Sequence, residues 1–155
     1  MSKAIRLAVT MGDPAGIGPE IVIKAAHKLE REIAEGRIEL LVLGSAEALA
    51  KACGQLNVAA DTLPLRMIDV GPVDGEVATG QISAVGGEWA YRAVKRATEL
   101  VQAGEADDLL GALGQRGEPV EDEDALLLDR EGIAVVLHAL QQRADPFQPH
   151  AGVDR

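Results

Sequence analysis

The chain has 155 residues, with 15 Lys and Arg against 25 Asp and Glu and a formal net charge of -10. At 47% hydrophobic residues it carries enough apolar surface to form a core, which excludes a disordered chain and fits one soluble globular domain. The acidic balance, the lack of a basic cluster in the sequence and the scarcity of aromatics (Trp89, Tyr91 and Phe147) argue against binding to nucleic acid or an anionic membrane.

Taken in order, Ala4 to Thr10 reads as a strand that ends in a glycine-rich turn. From Pro19 the apolar residues Ile21, Val22, Ala25, Ala26, Leu29 and Ile33 recur at helical spacing, and Gly36 closes that helix. Leu40 to Leu43, bounded by Gly44, predicts a second strand, and Ala46 to Cys53 a second helix. Strand alternating with helix favours a parallel α/β sheet. Leu65 to Val70 fits a third strand, and Gly71, Pro72, Gly75 and Gly80 mark a long connection after it. A further helix is expected from near Ser83 to Ala103, with Trp89, Ala93, Val94, Ala97, Leu100 and Val101 on one side and Gly104 as its stop.

The character changes after Asp108, where Gly111, Gly114 and Gly117 precede Pro119 and the acidic run Glu121 to Asp124. One helix could occupy part of Ala125 to Leu140, although Gly132 costs it about 1 kcal/mol relative to alanine. Ala144 to Arg155 reads as a frayed end. The acidic run reads as a solvated face or helix-terminal charge rather than a metal site, since consecutive acids need not converge on one ion. Cys53 is the sole cysteine, which excludes an intrachain disulfide, and its neighbours offer nothing to activate a thiol. No window reaches the roughly 18 apolar residues of a membrane span and no signal peptide is evident, so the cytoplasm is the expected location.

The segment with most chemical content is Met11-Gly-Asp-Pro-Ala-Gly-Ile-Gly-Pro-Glu20, where a strand hands over to a helix. Gly12, Gly16 and Gly18 permit close approaches that a Cβ would block, and Pro19 suits a first helical turn. Such a turn aims backbone N–H groups and a positive helix end into the crevice where open α/β sheets bind ligands. A tight turn whose glycines serve only packing is the alternative. The segment is neither a Walker A loop nor the GxGxxG dinucleotide fingerprint.

This ten-residue segment resembles the N-terminal signature of the 4-hydroxythreonine-4-phosphate dehydrogenase family, which includes relatives acting on threonate and erythronate 4-phosphates. Gly80-Gln-Ile-Ser83, Gly86-Gly-Glu-Trp-Ala-Tyr91, Ala97 and Gly104-Glu-Ala-Asp107 resemble the family's helix leading toward an active-site strand. The resemblance covers roughly the first 107 residues. It implies a fold like that of isocitrate and isopropylmalate dehydrogenases, here a partial parallel sheet with flanking helices. It also implies oxidation, with decarboxylation, of 4-phosphooxy-threonine or a related phosphorylated four-carbon acid by NAD or NADP. A divalent metal (Zn, Mg or Co) held by histidines from both subunits of a homodimer would polarise the reacting oxygen. Gly12, Asp13, Gly16 and Gly18 are implied to lie near cofactor or substrate, although Asp13 could serve only to cap the turn. The related Gly-Asp-Gly-Ile-Gly-Pro-Glu turn of isopropylmalate dehydrogenases lacks the Pro14-Ala15 pair present here.

The resemblance stops at Asp108. Family members are about twice this length and continue into Thr-Ala-Pro-x-x-Lys and Gly-His-Thr-Glu segments, whereas Leu109 to Arg116 matches neither. Gln148-Pro-His150-Ala-Gly152 echoes a family metal-ligand segment without its Asn and Glu, which leaves His150 as the single candidate metal ligand, while His27 and His138 read as surface or packing residues. The expected organisation is thus a family-like portion over 1–108 and an unmatched tail over 109–155, the product of a frameshift, deletion or gene fragment. No residue present is assigned a catalytic role, and the chain alone is expected to be inactive. A non-catalytic α/β module that binds a nucleotide or a partner is the competing reading.

Overall fold

The computed structural model describes residues 3–111, which lie within one compact unit, Met1–Gly117. The element order is β1 (Ile5–Thr10), α1 (Gly18–Lys28), α2 (Glu30–Ala34), β2 (Ile38–Gly44), α3 (Ala46–Gln55), β3 (Arg66–Asp69), α4 (Ala84–Gln102) and β4 (Asp108–Gly111). The four strands form one sheet in the order β3-β2-β1-β4, and every pairing is parallel. The expected parallel α/β sheet with flanking helices is therefore what the chain forms. The helix expected over 125–140, the frayed end and the acidic run at 121–124 lie outside the described residues.

β2 is the most deeply buried strand: Ile38 and every residue from Leu40 to Gly44 are buried, as a central strand covered on both faces requires. Ala8, Leu41 and Leu43 form one core cluster with Ala93, Ala97 and Leu100 of α4 and with Ala106. Strand alternation sends Leu7, Leu40 and Val42, equally buried, to the other face. Buried residues on α1 (Val22, Ile23, Ala26) and α3 (Leu49, Ala52, Cys53) complete the remaining core, and these two helices pack on each other.

Two helix expectations are corrected. The single helix expected from Pro19 to Gly36 divides at Leu29, where the buried stripe of α1 ends; α2 continues with no buried residue, and Gly36 stops it at φ +69°. Val94 does not share the inner face of α4. The stripe runs through Gly86, Ala93, Ala97 and Leu100, so Val94, about 100° around the helix from Ala93, is exposed. Trp89 is half-buried, with its ring laid against Gly71 so closely that a Cβ there would collide with it.

Helix ends are set by local chemistry. Ser83 caps α4, its hydroxyl oxygen accepting the Gly86 N–H at 3.0 Å. At the other end Gly104 takes φ +70°, with the Glu105 N–H on the Leu100 carbonyl (2.8 Å) and the Gly104 N–H on Val101 (3.1 Å), a Schellman closure. α3 is capped twice: Ser45 accepts the Ala48 N–H at 3.1 Å, and the Asp69 carboxylate accepts the Ala46 N–H at 3.0 Å.

Beyond Gly104 the chain enters β4, so the change of character seen at Asp108 coincides with a strand rather than with the end of the sheet. Leu7, Ala8, Val9 and Thr10 pair with Asp108, Leu109, Leu110 and Gly111. A two-pronged contact sets this register. The Arg6 guanidinium donates to both Asp107 carboxylate oxygens (3.0 and 3.0 Å) and to the Gly104 carbonyl (2.7 Å), while the Arg6 N–H donates to Asp107 at 2.9 Å and the Asp107 N–H to the Arg6 carbonyl at 2.8 Å.

Hydrogen bonds from the Arg6 side chain and backbone hold the Asp107 carboxyl well below the usual carboxylate range. A carboxyl depressed in the folded state contributes stability that is complete above its unfolded value of about 4 and is lost as the pH falls through the folded value. Denaturant unfolding at stepped pH is expected to show stability declining below about pH 4. Asp107→Asn is expected to lower stability at neutral pH and to flatten that acid limb; an unchanged limb would assign it to other carboxylates.

Candidate functional site

The strand order places a topological switch point between β1 and β4, because the chain proceeds from β1 through β2 to β3 on one side and returns to β4 on the other. In open α/β sheets the crevice outside the carboxyl ends of two such strands is where ligands bind. The segment from Met11 to Glu20 leaves β1 at that end.

Its conformation follows from its composition. Gly12 sits at φ +73°, which an L side chain resists. Asp13 closes the turn with both of its acceptor groups: its carboxylate takes the Ala15 N–H at 2.8 Å and its carbonyl the Gly16 N–H at 3.0 Å. Gly18 opens α1 against the Met11 carbonyl, leaving no room for a Cβ. Met11, almost fully buried, fills the space over Gly44 at the end of β2, where again a Cβ would collide. Four candidate residues thus divide into two kinds. Gly12 and Asp13 are half-buried and Gly16 is exposed at the crevice, while Gly18 is buried and acts through packing.

The second stretch singled out in the sequence lies on the first. Gly86, in the first turn of α4, faces the Asp13 carboxylate so closely that any side chain would strike it, and the Gly80 N–H donates to the Ala15 carbonyl at 2.8 Å. Lys51 of α3 reaches over to donate to the Thr79 hydroxyl at 2.9 Å. The connection between β3 and α4 is thereby pinned to the turn, and the exposed apolar side chains Ile17 and Ile82 project from the two segments.

Backbone N–H groups are scarcer here than the sequence suggests, since Asp13 takes up two of them. Ile17, at the N-cap of α1, provides no side-chain cap, and the acid in the first turn is Glu20, whose Oε2 is buried without a hydrogen-bond partner. The turn therefore offers carboxylate oxygens more than donors. Such a surface suits hydroxyl groups of a sugar, ribose or hydroxy acid better than a bare phosphate. Sequence reasoning missed Thr79 and singled out Gly80 and Gly86 without placing them against the turn, because contacts between distant segments leave no local signal. Glu20 was visible only as the last letter of the motif.

Histidines do not enter it. His27 is exposed on α1, and His138 and His150 lie outside the described residues. Among the described residues no three His, Cys, Asp or Glu side chains converge to hold a metal ion. Cys53 is buried on α3, and that burial raises its pKa, so it stays a protonated packing group. No helix among the described residues is long and apolar enough to cross a membrane.

Comparison with known proteins agrees with this geometry. No family model matches the chain. It is 38% identical to the D-threonate 4-phosphate dehydrogenase of Pectobacterium atrosepticum, over 68% of this chain and 35% of the relative. It is 34% identical to the 4-hydroxythreonine-4-phosphate dehydrogenase of Thermosynechococcus vestitus, over 68% of this chain and 31% of that protein. A Bradyrhizobium diazoefficiens protein, provisionally named a D-threonate 4-phosphate dehydrogenase, is 42% identical over 63% of this chain and 31% of its own length. Over about two thirds of its residues the chain is similar to members of this dehydrogenase family. It spans about a third of the length of these relatives. Among solved structures, the terephthalate 1,2-cis-dihydrodiol dehydrogenase of Burkholderia xenovorans superposes on 69% of the chain and 33% of its own, with a TM-score of 0.53 and 27% identity.

A pair of neighbouring glycines tests the docking of α4 on the turn. Gly87→Ala meets nothing and replaces a poor helix former, so it is expected to leave stability unchanged or raise it by up to about 1 kcal/mol. Gly86→Ala drives a methyl into Asp13 and is expected to cost about 1–3 kcal/mol in urea unfolding. Equal effects at the two positions would refute the close approach.

Proposed function

We propose that this chain carries the part of an NAD- or NADP-dependent dehydrogenase that lines the cleft for a small phosphorylated four-carbon hydroxy acid, on a fold of the isocitrate and isopropylmalate dehydrogenase kind. The observation that carries the reading is the meeting of both family-like stretches, Gly86 on Asp13 and Gly80 on Ala15, at the switch point of a parallel sheet. The relatives' names supply the substrate class, D-threonate 4-phosphate or 4-hydroxythreonine 4-phosphate. A bound nicotinamide supplies the hydride acceptor.

The chain's own residues bind and orient. Asp13 accepts the Ala15 N–H with one oxygen and leaves its other oxygen without a hydrogen bond among the described residues, so that it can accept one from a ligand hydroxyl. Gly12 and Gly16 let the ligand approach the backbone. Ile17 and Ile82 offer apolar cover that displaces water from the bound ligand. Residues 3–111 do not fit a divalent metal, since no ligand set converges there. No step is drawn through one. A homodimer is part of the same reading.

A chimera tests it directly. Residues 1–108 of this chain, substituted for the corresponding segment of the Pectobacterium enzyme, are expected to support NAD reduction with D-threonate 4-phosphate. Asp13→Ala in that chimera is expected to lower kcat/KM by about tenfold or more, the loss of one ligand hydrogen bond. A chimera that is folded by circular dichroism and inactive would overturn the proposal. The purified chain alone, given 4-phosphooxy-threonine, NAD and a divalent metal, is expected to produce no NADH; turnover abolished by a chelator would contradict that expectation.

A further inference from the structure

A second feature of α4 has no part in that cleft. Arg92, Lys95 and Arg96 lie within five residues of sequence, and their i, i+3, i+4 spacing sets them along one flank of the helix, where they line an open cavity of about 260 Å³ with Glu99 and with Asp69, Val70 and Gly71 at the end of β3. Its lining holds three cations against the two carboxylates Asp69 and Glu99.

The carboxylates that share the cavity are already engaged. Asp69 accepts the Ala46 N–H with one oxygen (3.0 Å) and the Gly71 N–H with the other (2.7 Å), and Glu99 holds Arg96 at 3.2 Å. Arg92 is fixed by Glu88 (2.7 Å) and by the Pro72 carbonyl (2.7 Å), which aims its guanidinium without using its other terminal nitrogen. Lys95 makes no hydrogen bond or ion pair among the described residues. A pre-set guanidinium beside a free ammonium is the donor set that a tetrahedral dianion takes. The cavity is small beside sites of roughly 300–1,000 Å³ that enclose drug-sized ligands, which suits a small ion or ester.

We propose that this cavity binds a phosphate group, free or as a small phosphate monoester, separately from the cleft at Asp13. Trp89, the only tryptophan, packs against Gly71, which lines the cavity, and serves as the fluorescent probe of occupancy. Inorganic phosphate and glycerol phosphate, each titrated into the full chain against chloride at matched ionic strength, are expected to give a saturable change in Trp89 fluorescence. Whichever ligand binds tighter identifies the source of the group. Lys95→Glu combined with Arg96→Glu is expected to weaken binding by about tenfold or more. Glu99→Gln, which frees Arg96, is expected to tighten it by a few fold, and circular dichroism checks that each variant is folded. A response equal to that of chloride, or one unchanged in the charge-reversed variant, would overturn the proposal.

Discussion

Two approaches too close for a Cβ hold the carboxyl end of this sheet together: Gly18 against the Met11 carbonyl and Gly86 against the Asp13 carboxylate. The first fixes where α1 leaves β1, and the second fixes where α4 begins relative to the same turn. Everything near the crevice depends on these contacts, since Ile17, Glu20 and Gly80 take their places from the backbone that the two glycines allow. A methyl at either would separate helix from turn before it touched any ligand. Gly18 and Gly86 are thus packing residues, and the chemistry beside them falls to Asp13.

That division changes what the turn can recognise. A strand-turn-helix of this composition suggests a cradle of N–H donors, but Asp13 turns two of them inward and Glu20 adds a second acid at the head of α1. Positive charge is found instead along α4, at a distance of two helical turns from Gly86 and beyond. Acceptors therefore gather at the turn and the head of α1, and the cations lie on a flank of α4.

Much of the architecture was legible in the sequence because it rests on period and punctuation. The apolar run Leu40 to Leu43, the cap at Ser83 and the stop at Gly104 each mark an element whose boundaries the structure moves by a residue or two. The division at Leu29 was not legible, since apolar spacing continues to Ile33 while burial does not. β4 was hidden by its brevity: four residues ending in glycine carry no alternation to read. In the site, the motif announced the turn, but its partners Gly86, Thr79 and Gly80 are brought there by tertiary folding. The cationic flank of α4 was overlooked because three basic residues in Arg92-Ala-Val-Lys-Arg96 are too few to stand out in an acidic chain until the helix sets them beside the end of β3.

The Arg6–Asp107 pair joins residues 101 positions apart, farther in sequence than any other hydrogen bond described between side chains and backbone. Closing so long a loop is entropically slow, and its reward comes only when α4 has already docked. The outer edge of β1 is covered only once residue 107 and β4 are in place, after α4, which covers one face of β1 and β2. Without β4 the three-stranded sheet would have two bare edges, β3 and β1, and Arg6 stands at the β1 edge as a charge that discourages a stranger from pairing with it.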